Sequence, residues 1–415
     1  MPFPQPGFRA VGQIFYPEWR MTLKKSNKLM LVLVFVLAIC VSFCGAFLLA
    51  RHFYSDYGSA AARKTAEVSA YLDRFFIDDY DEDDLADAAA EAMVEATGDR
   101  WSYYLSADEY QSYAESMNNA YVGIGVTITL DEEQGGMTVD SVTPGGPAEE
   151  AGIQPGDVIV TVEGQSTLEL GMQGTRSLVR GEEGTTVRLG LRRGERDFEL
   201  DVERRSILTD VAVCEMLDHD IGYIRIANFD SRCAEETLAC IDELLAKNAK
   251  AIVFDVRFNG GGYKDEMVKV LDRLLPEGIL FQSEDYSGKK EADRSDAEYL
   301  DLPMAVLVNQ DSYSAAEFFA AALQEYDAAV IVGSKTTGKG NFQNGFRLSD
   351  GSLLNISIGK YYTPNGVSLS ETGVTPDVEL DLAEEDYVKL YAQKLEKSDD
   401  LQLQAAIGAV REKIS

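Results

Sequence analysis

Apolar and polar positions alternate with different periods along this chain, and the changes of period mark its parts. Leu29 to Ala50 carries no charge over 22 residues, long enough to span a bilayer as one helix. A single transmembrane helix is therefore expected over 29–50, with a basic segment, 1–28, before it. From 51 to 118 apolar positions recur at helical spacing, as in Ala60–Phe76 and Asp84–Ala96, with acidic turns between them. Tyr121 to about Arg205 switches to short β-type runs punctuated by glycine: 125–130, 137–142, 157–162, 186–192 and 197–203, with helices expected at 147–151 and 168–179. Beyond Ser206 the apolar runs become continuous. Ile221–Ile226, Ala251–Val256, Met304–Val308 and Ala328–Val332 read as strands buried on both faces, separated by helices at 233–245, 265–275 and 315–326. The region from 384 to 415 reads as an amphipathic helical tail, expected as a homo-oligomer contact. The fold class is α/β and multidomain, divided as 1–28, 29–50, 51–118, 119–205, 206–383 and 384–415.

Charge adds a direction. Arg9, Arg20, Lys24, Lys25 and Lys28 face a single acid, Glu18, ahead of the uncharged run, which places the N-terminus in the cytoplasm and the remainder outside. The expected location is the cell membrane, single-pass, with the bulk of the chain extracytoplasmic. A start at Met21 is an alternative beginning. The net charge of −32 argues against nucleic acid and anionic lipid headgroups as ligands. Five cysteines give no CxxC pair, and Cys233 and Cys240 stand two helical turns apart, too far for a disulfide. No metal or cofactor is implied.

The chemistry concentrates between Asn309 and Gln343. Ser314 lies where an apolar strand turns into an Ala-rich helix, at the positive end of the helix dipole. A serine there reads first as a helix cap. Lys339 changes the balance, because glycines on both sides free the backbone to bend tightly and an exposed lysine has no need of them. A buried lysine loses its proton readily and becomes a competent base for a serine hydroxyl. A phosphate loop is excluded, since GxxxxGK[ST] is absent. The chain has two histidines, His52 beside the uncharged run and His219 in a turn-like LDHD, so a histidine-based triad would need His219.

Asn309-Gln310-Asp311-Ser312-Tyr313-Ser314-Ala315-Ala316-Glu317 and Thr337-Gly338-Lys339-Gly340 resemble the serine and lysine motifs of the C-terminal processing peptidases, tail-specific serine proteases with a Ser–Lys dyad. The resemblance covers roughly Val68 to Asp381 and implies a ClpP/crotonase-like α/β core. It selects Ser314 over Ser312 as nucleophile and Lys339 as base, with Gln343 orienting the lysine. Asp255-Val256-Arg257-Phe258-Asn259-Gly260-Gly261-Gly262 resembles the family's Asp-Leu-Arg-x-Asn-Pro-Gly-Gly, with Gly260 where proline is usual. By that resemblance the N–H of Gly261, with Gly262 as the second choice, and the N–H of Ala315 hold the oxyanion. Gly98 to Tyr104 resembles a Gly-Asp-Pro-Tyr-Ser-x-Tyr turn, with Arg100 in place of proline; no chemistry is read from it.

Tyr121-Val122-Gly123-Ile124-Gly125-Val126, followed by Ala151-Gly152-Ile153-Gln154-Pro155-Gly156-Asp157, resembles a PDZ domain. Val122, Gly123, Ile124, Gly125 and Val126 would then form a loop whose N–H groups cradle a terminal carboxylate while the peptide adds to a sheet edge. Together the readings imply a membrane-anchored serine endopeptidase acting on proteins or peptides with apolar C-termini. Two alternatives accompany it: an inactive PDZ adaptor of the same shape, and a hydrolase of small esters or amides.

Overall fold

The computed structural model describes residues 25–56 and 59–414. The chain forms two compact units, Met1–Leu85 and Ala86–Ser415. The first contains the helices Lys25–Asp56 and Ala60–Phe75; the amide of Ala62 is capped by the hydroxyl of Ser59. Among the described residues no helix is long and apolar enough to cross a membrane. This overturns the transmembrane helix expected over 29–50. The helix that forms there extends beyond the uncharged run at both ends, taking in Lys25 and Lys28 on one side and Arg51 and Asp56 on the other. The basic segment expected before it lies, up to residue 24, outside the described residues.

In the second unit, strands Val126–Asp131, Gly136–Val142, Val158–Val162, Thr186–Arg193 and Arg196–Glu203 follow one another in a single antiparallel sheet. Their inward residues, among them Met137, Val139, Ile159, Leu189 and Leu191, make a separate core closed by helix Thr167–Val179. The alternation visible in the sequence is what a sheet covered on one face requires. A two-stranded ribbon, Ala120–Gly123 paired antiparallel with Arg205–Leu208, stands at the neck of this module.

The remainder is built on a six-stranded sheet ordered Ala212–Leu217, Ile221–Ile226, Ala251–Asp255, Met304–Val308, Ala329–Gly333, Val378–Glu379, parallel except at the first pair. Its strands are apolar throughout because both faces are covered. Ile252, Phe254, Val306 and Ile331 face helices Cys233–Ala246, Lys264–Leu274 and Ala315–Glu325. Val253, Ala305, Leu307 and Val332 face Leu403, Ala406 and Val410 of helix Leu401–Ile414. The expected C-terminal tail is thus two helices, Glu384–Tyr391 and Leu401–Ile414, and the second fills the chain's own core rather than standing ready for another copy. A second sheet joins Tyr103–Leu105, Leu353–Tyr362, Gly278–Asp285 and Lys290–Ser295, with Asn341–Arg347 also paired to Leu353–Tyr362. The first of these strands begins in the expected 98–104 turn, inside a region otherwise expected to be helical.

One buried cluster ties the C-terminal helix to the sheet. The Arg257 guanidinium donates to Asp255 at 2.9 and 2.6 Å, to Asp400 at 3.0 and 2.8 Å and to Gln402 at 3.1 Å. The Tyr223 hydroxyl donates to Asp255 at 2.8 Å. Burial works to raise the Asp255 carboxyl, and the charge and hydrogen bonds of Arg257 more than offset it, holding the acid below its usual range.

Candidate active site

Two corners at the carboxyl ends of adjacent parallel strands are stitched together. The Asn309 side chain accepts from the N–H of Phe258 and of Asp311, and the N–H of Tyr313 donates to the carbonyl of Asn259. Ser312 is consumed in this seam: its hydroxyl donates to the carbonyl of Val256 at 2.7 Å and accepts from the N–H of Asn309. Ser314 is placed differently. It precedes helix Ala315–Glu325 with φ 58° and ψ −126°, a region that non-glycine residues seldom adopt. Its backbone N–H is held instead by Glu317, at 3.0 Å.

Glu317 is the hub of the site. Fully buried, its carboxyl accepts from the N–H of Ser314, Gly338 and Lys339 and from the Thr336 hydroxyl, at 2.5–3.0 Å. Burial pushes this carboxyl above its usual range, and these four hydrogen bonds pull the other way. One side chain therefore fixes the backbone at both Ser314 and Lys339. The glycines around the lysine have a local cause. Gly338 sits at φ 87°, and a Cβ on Gly340 would come within 2.5 Å of the Ser370 N, so the loop can lie against 368–372 only without side chains there.

Ser314, Lys339, Gln343 and Gly260 to Gly262 line one cavity of about 900 Å3. The Lys339 ammonium lies over the rings of Trp101, 4.8 Å from the centroid, and Tyr313, 5.9 Å. Burial lowers its pKa to about 8, against the pull of the Asp99 and Glu317 charges. Gly261 turns at φ 88°, with its missing Cβ only 2.7 Å from the Ser314 Cβ and 2.9 Å from the Ala315 N. No side chain fits between the glycine turn and the serine.

The structure does not bring every expected group to its partner. The Gly261 N–H donates to the Asn259 side chain at 2.8 Å, whereas no hydrogen bond from the N–H of Gly262 or Ala315 is found among the described residues. The Gln343 amide reaches the Asn341 carbonyl and the Ser357 hydroxyl, not Lys339. His219 belongs to the turn Asp218–Asp220 and faces Arg411 and Glu412, in another cavity. In the other module, Ile124 is buried, Gly125 turns at φ 77°, and strand Val126–Asp131 is an edge of its sheet.

Trp101 and Asp99 were invisible as site residues in the sequence. The Asp99 carboxyl accepts from the Ser102 hydroxyl, and that hydroxyl accepts from the N–H of Ser357, so the 98–104 turn is tied to the sheet beside the lysine loop. A tryptophan in a glycine-opened turn was the one available signal. Glu317 carried a better one, standing three residues after a serine at a helix start.

Comparison with known proteins identifies the family. The profile of Peptidase family S41 matches residues 220–380, and a PDZ domain matches 138–193. The carboxy-terminal processing protease CtpA of Bacillus subtilis is 34% identical over 326 residues, covering 77% of this chain and 69% of that protein. The chloroplastic carboxyl-terminal-processing peptidase 2 of Arabidopsis thaliana is 32% identical over 304 residues, covering 70% of this chain and 59% of that protein. A solved S41 protease from Bacteroides fragilis shares the fold at a TM-score of 0.52 and 19% identity, over 78% of this chain and 90% of that one. The chain belongs to peptidase family S41 and is a serine-type endopeptidase of the carboxy-terminal processing kind, carrying a PDZ domain.

Proposed function

We propose that Ser314 is the nucleophile and Lys339 its general base, and that the PDZ module delivers the free C-terminus of a protein substrate to them. The observation that carries the reading is the pairing of a strained serine with a buried lysine, its pKa lowered to about 8 by burial, in one cavity. Strain at a nucleophile is tolerated where surrounding structure over-determines it, and the Glu317 hydrogen bonds supply that here. Neutral Lys339 takes the hydroxyl proton as Ser314 attacks the peptide carbonyl, then returns it to the leaving amine. The N–H groups of Ala315 and Gly262 are the oxyanion donors; the Gly261 N–H, spent on Asn259, keeps the turn in shape. Gln343, hydrogen-bonded to Asn341 and Ser357, holds the sheet edge beside the lysine loop.

A pH profile tests the base. The unprotonated lysine is the active form, so kcat/KM should fall about tenfold per unit below roughly pH 7 and level off above the Lys339 value of about 8. A profile flat from pH 6 to 9 would remove Lys339 from the proton transfer.

The turn at Ile124 and Gly125, between strand Ala120–Gly123, which carries Val122 and Gly123, and the edge strand Val126–Asp131, supports capture of an extended peptide by its terminal carboxylate, with apolar C-terminal side chains preferred. Amidating that carboxylate should weaken binding at least about tenfold, since each charge-assisted hydrogen bond contributes on the order of 1.5–3 kcal/mol. Titration of acid and amide peptides against the Ser314→Ala protein measures this, and equal affinities would refute capture by this loop.

A further inference from the structure

The cavity holds one acid for which the reaction has no use. Asp230 is 8% exposed and lines the same cavity as Ser314. Its Oδ1 is buried and makes no hydrogen bond among the described residues. Unpaired buried carboxyls are costly, and native structures keep few of them. Among the described residues no ion pair to it is found: the cavity's other lysine, Lys264, is committed to Asp293 at 2.9 Å and to Asp265, and its arginine, Arg100, lies over the Trp101 ring, 4.3 Å from the centroid. Burial alone accounts for a carboxyl pushed up to about 7. The acid also lies close to the reacting centre. Its Oδ1 would be 2.6 Å from a Cβ on Gly262, and the neighbouring Gly261 abuts Ser314. Tyr113 and Tyr263, whose hydroxyls respond to the Asp230 charge, stand in the same cavity wall.

We infer that Asp230 is the specificity-determining residue of a subsite for a basic side chain, lysine or arginine, next to the scissile bond of the substrate. An ammonium or guanidinium supplies both what the carboxyl lacks, a donor and a compensating charge. The tyrosine rings beside it suit a cation, whose attraction to aromatic faces strengthens on desolvation. The net charge of −32 favours the approach of cationic segments. The inference rests on the cavity being where peptides are cut.

The test uses the full chain and peptides in which lysine or norleucine, its uncharged near-isostere, is placed in turn at each position flanking the cleaved bond. At one position the wild-type protein should cut the lysine peptide at least about tenfold faster in kcat/KM than the norleucine peptide. Asp230→Asn should bring that ratio close to one, and Asp230→Glu should keep part of it. A wild-type ratio near one at every position overturns the inference whatever the variants do, as does a preference that survives in a folded Asp230→Asn protein. If no peptide were cut at all, the dyad reading would fail separately. The subsite would then be judged by binding, with tighter capture of the lysine peptide by the Ser314→Ala protein, lost on adding Asp230→Asn, as the required result.

Discussion

Lys339→Arg should lower kcat/KM by about 10^4-fold or more, nearly as far as Ser314→Ala, while the protein remains folded. A guanidinium keeps its proton across the usable pH range, so the substitution keeps a cation at the position and removes the base. Arginine also retains the attraction to the Trp101 ring seen for the lysine, which makes it a cleaner test than alanine. Ser314→Ala combined with Lys339→Arg should cost little more than either alone, since residues acting as a unit lose rate together. His219→Ala should stay within a few-fold of wild type. Steady-state hydrolysis of one peptide by the wild type and these four variants decides the matter. Activity retained by Lys339→Arg and lost by His219→Ala would replace the lysine mechanism with a histidine one.

The largest effect on stability is expected from Arg257→Ala. The substitution strands Asp255 and Asp400, both nearly inaccessible, and breaking a buried pair on one side costs on the order of 3–5 kcal/mol. Because Asp400 opens the C-terminal helix, that helix should loosen first. Limited proteolysis between Tyr391 and Leu401 is therefore expected well before global unfolding. Arg257→Lys should recover little, since one ammonium cannot make the paired contacts to two carboxylates. A denaturation midpoint unchanged in Arg257→Ala would show that the cluster is peripheral to folding.

The residues legible in the sequence were those whose reasons are local. Lys339 was found through its glycines, and the structure supplies the cause: a backbone pressed against 368–372 with no room at Gly340. The strands of the PDZ module were legible as short β-type runs bounded by glycine turns, a signal that needs no distant partner to read. What the sequence hid depends on chain segments meeting across the fold. Trp101 acquires its place only when Tyr103–Leu105 pairs with Leu353–Asn355. The C-terminal helix looked like a free amphipathic surface because the sheet face it covers is contributed by strands far upstream. The uncharged run at 29–50 was read by length alone, and length did not settle what forms there. Gln343 matched a motif by spacing, yet a shift in strand register between Phe342 and Gln343 sets where its amide reaches.

The ribbon of Ala120–Gly123 against Arg205–Leu208 has a consequence for how such a chain could be assembled and taken apart. The N–H of Thr209 donates to the carbonyl of Asn119 at 2.9 Å, so the points where the chain leaves the catalytic body and comes back to it are side by side. The PDZ module is thus a cassette spliced into a surface position whose two cut ends already touch. Removing it would leave a gap only one hydrogen bond wide between Asn119 and Thr209, and chain ends that already meet are the geometry that tolerates an inserted domain. The same junction gives any pull on the module two antiparallel strands to load at once, so tension is delivered to the catalytic body as a shear along one ribbon.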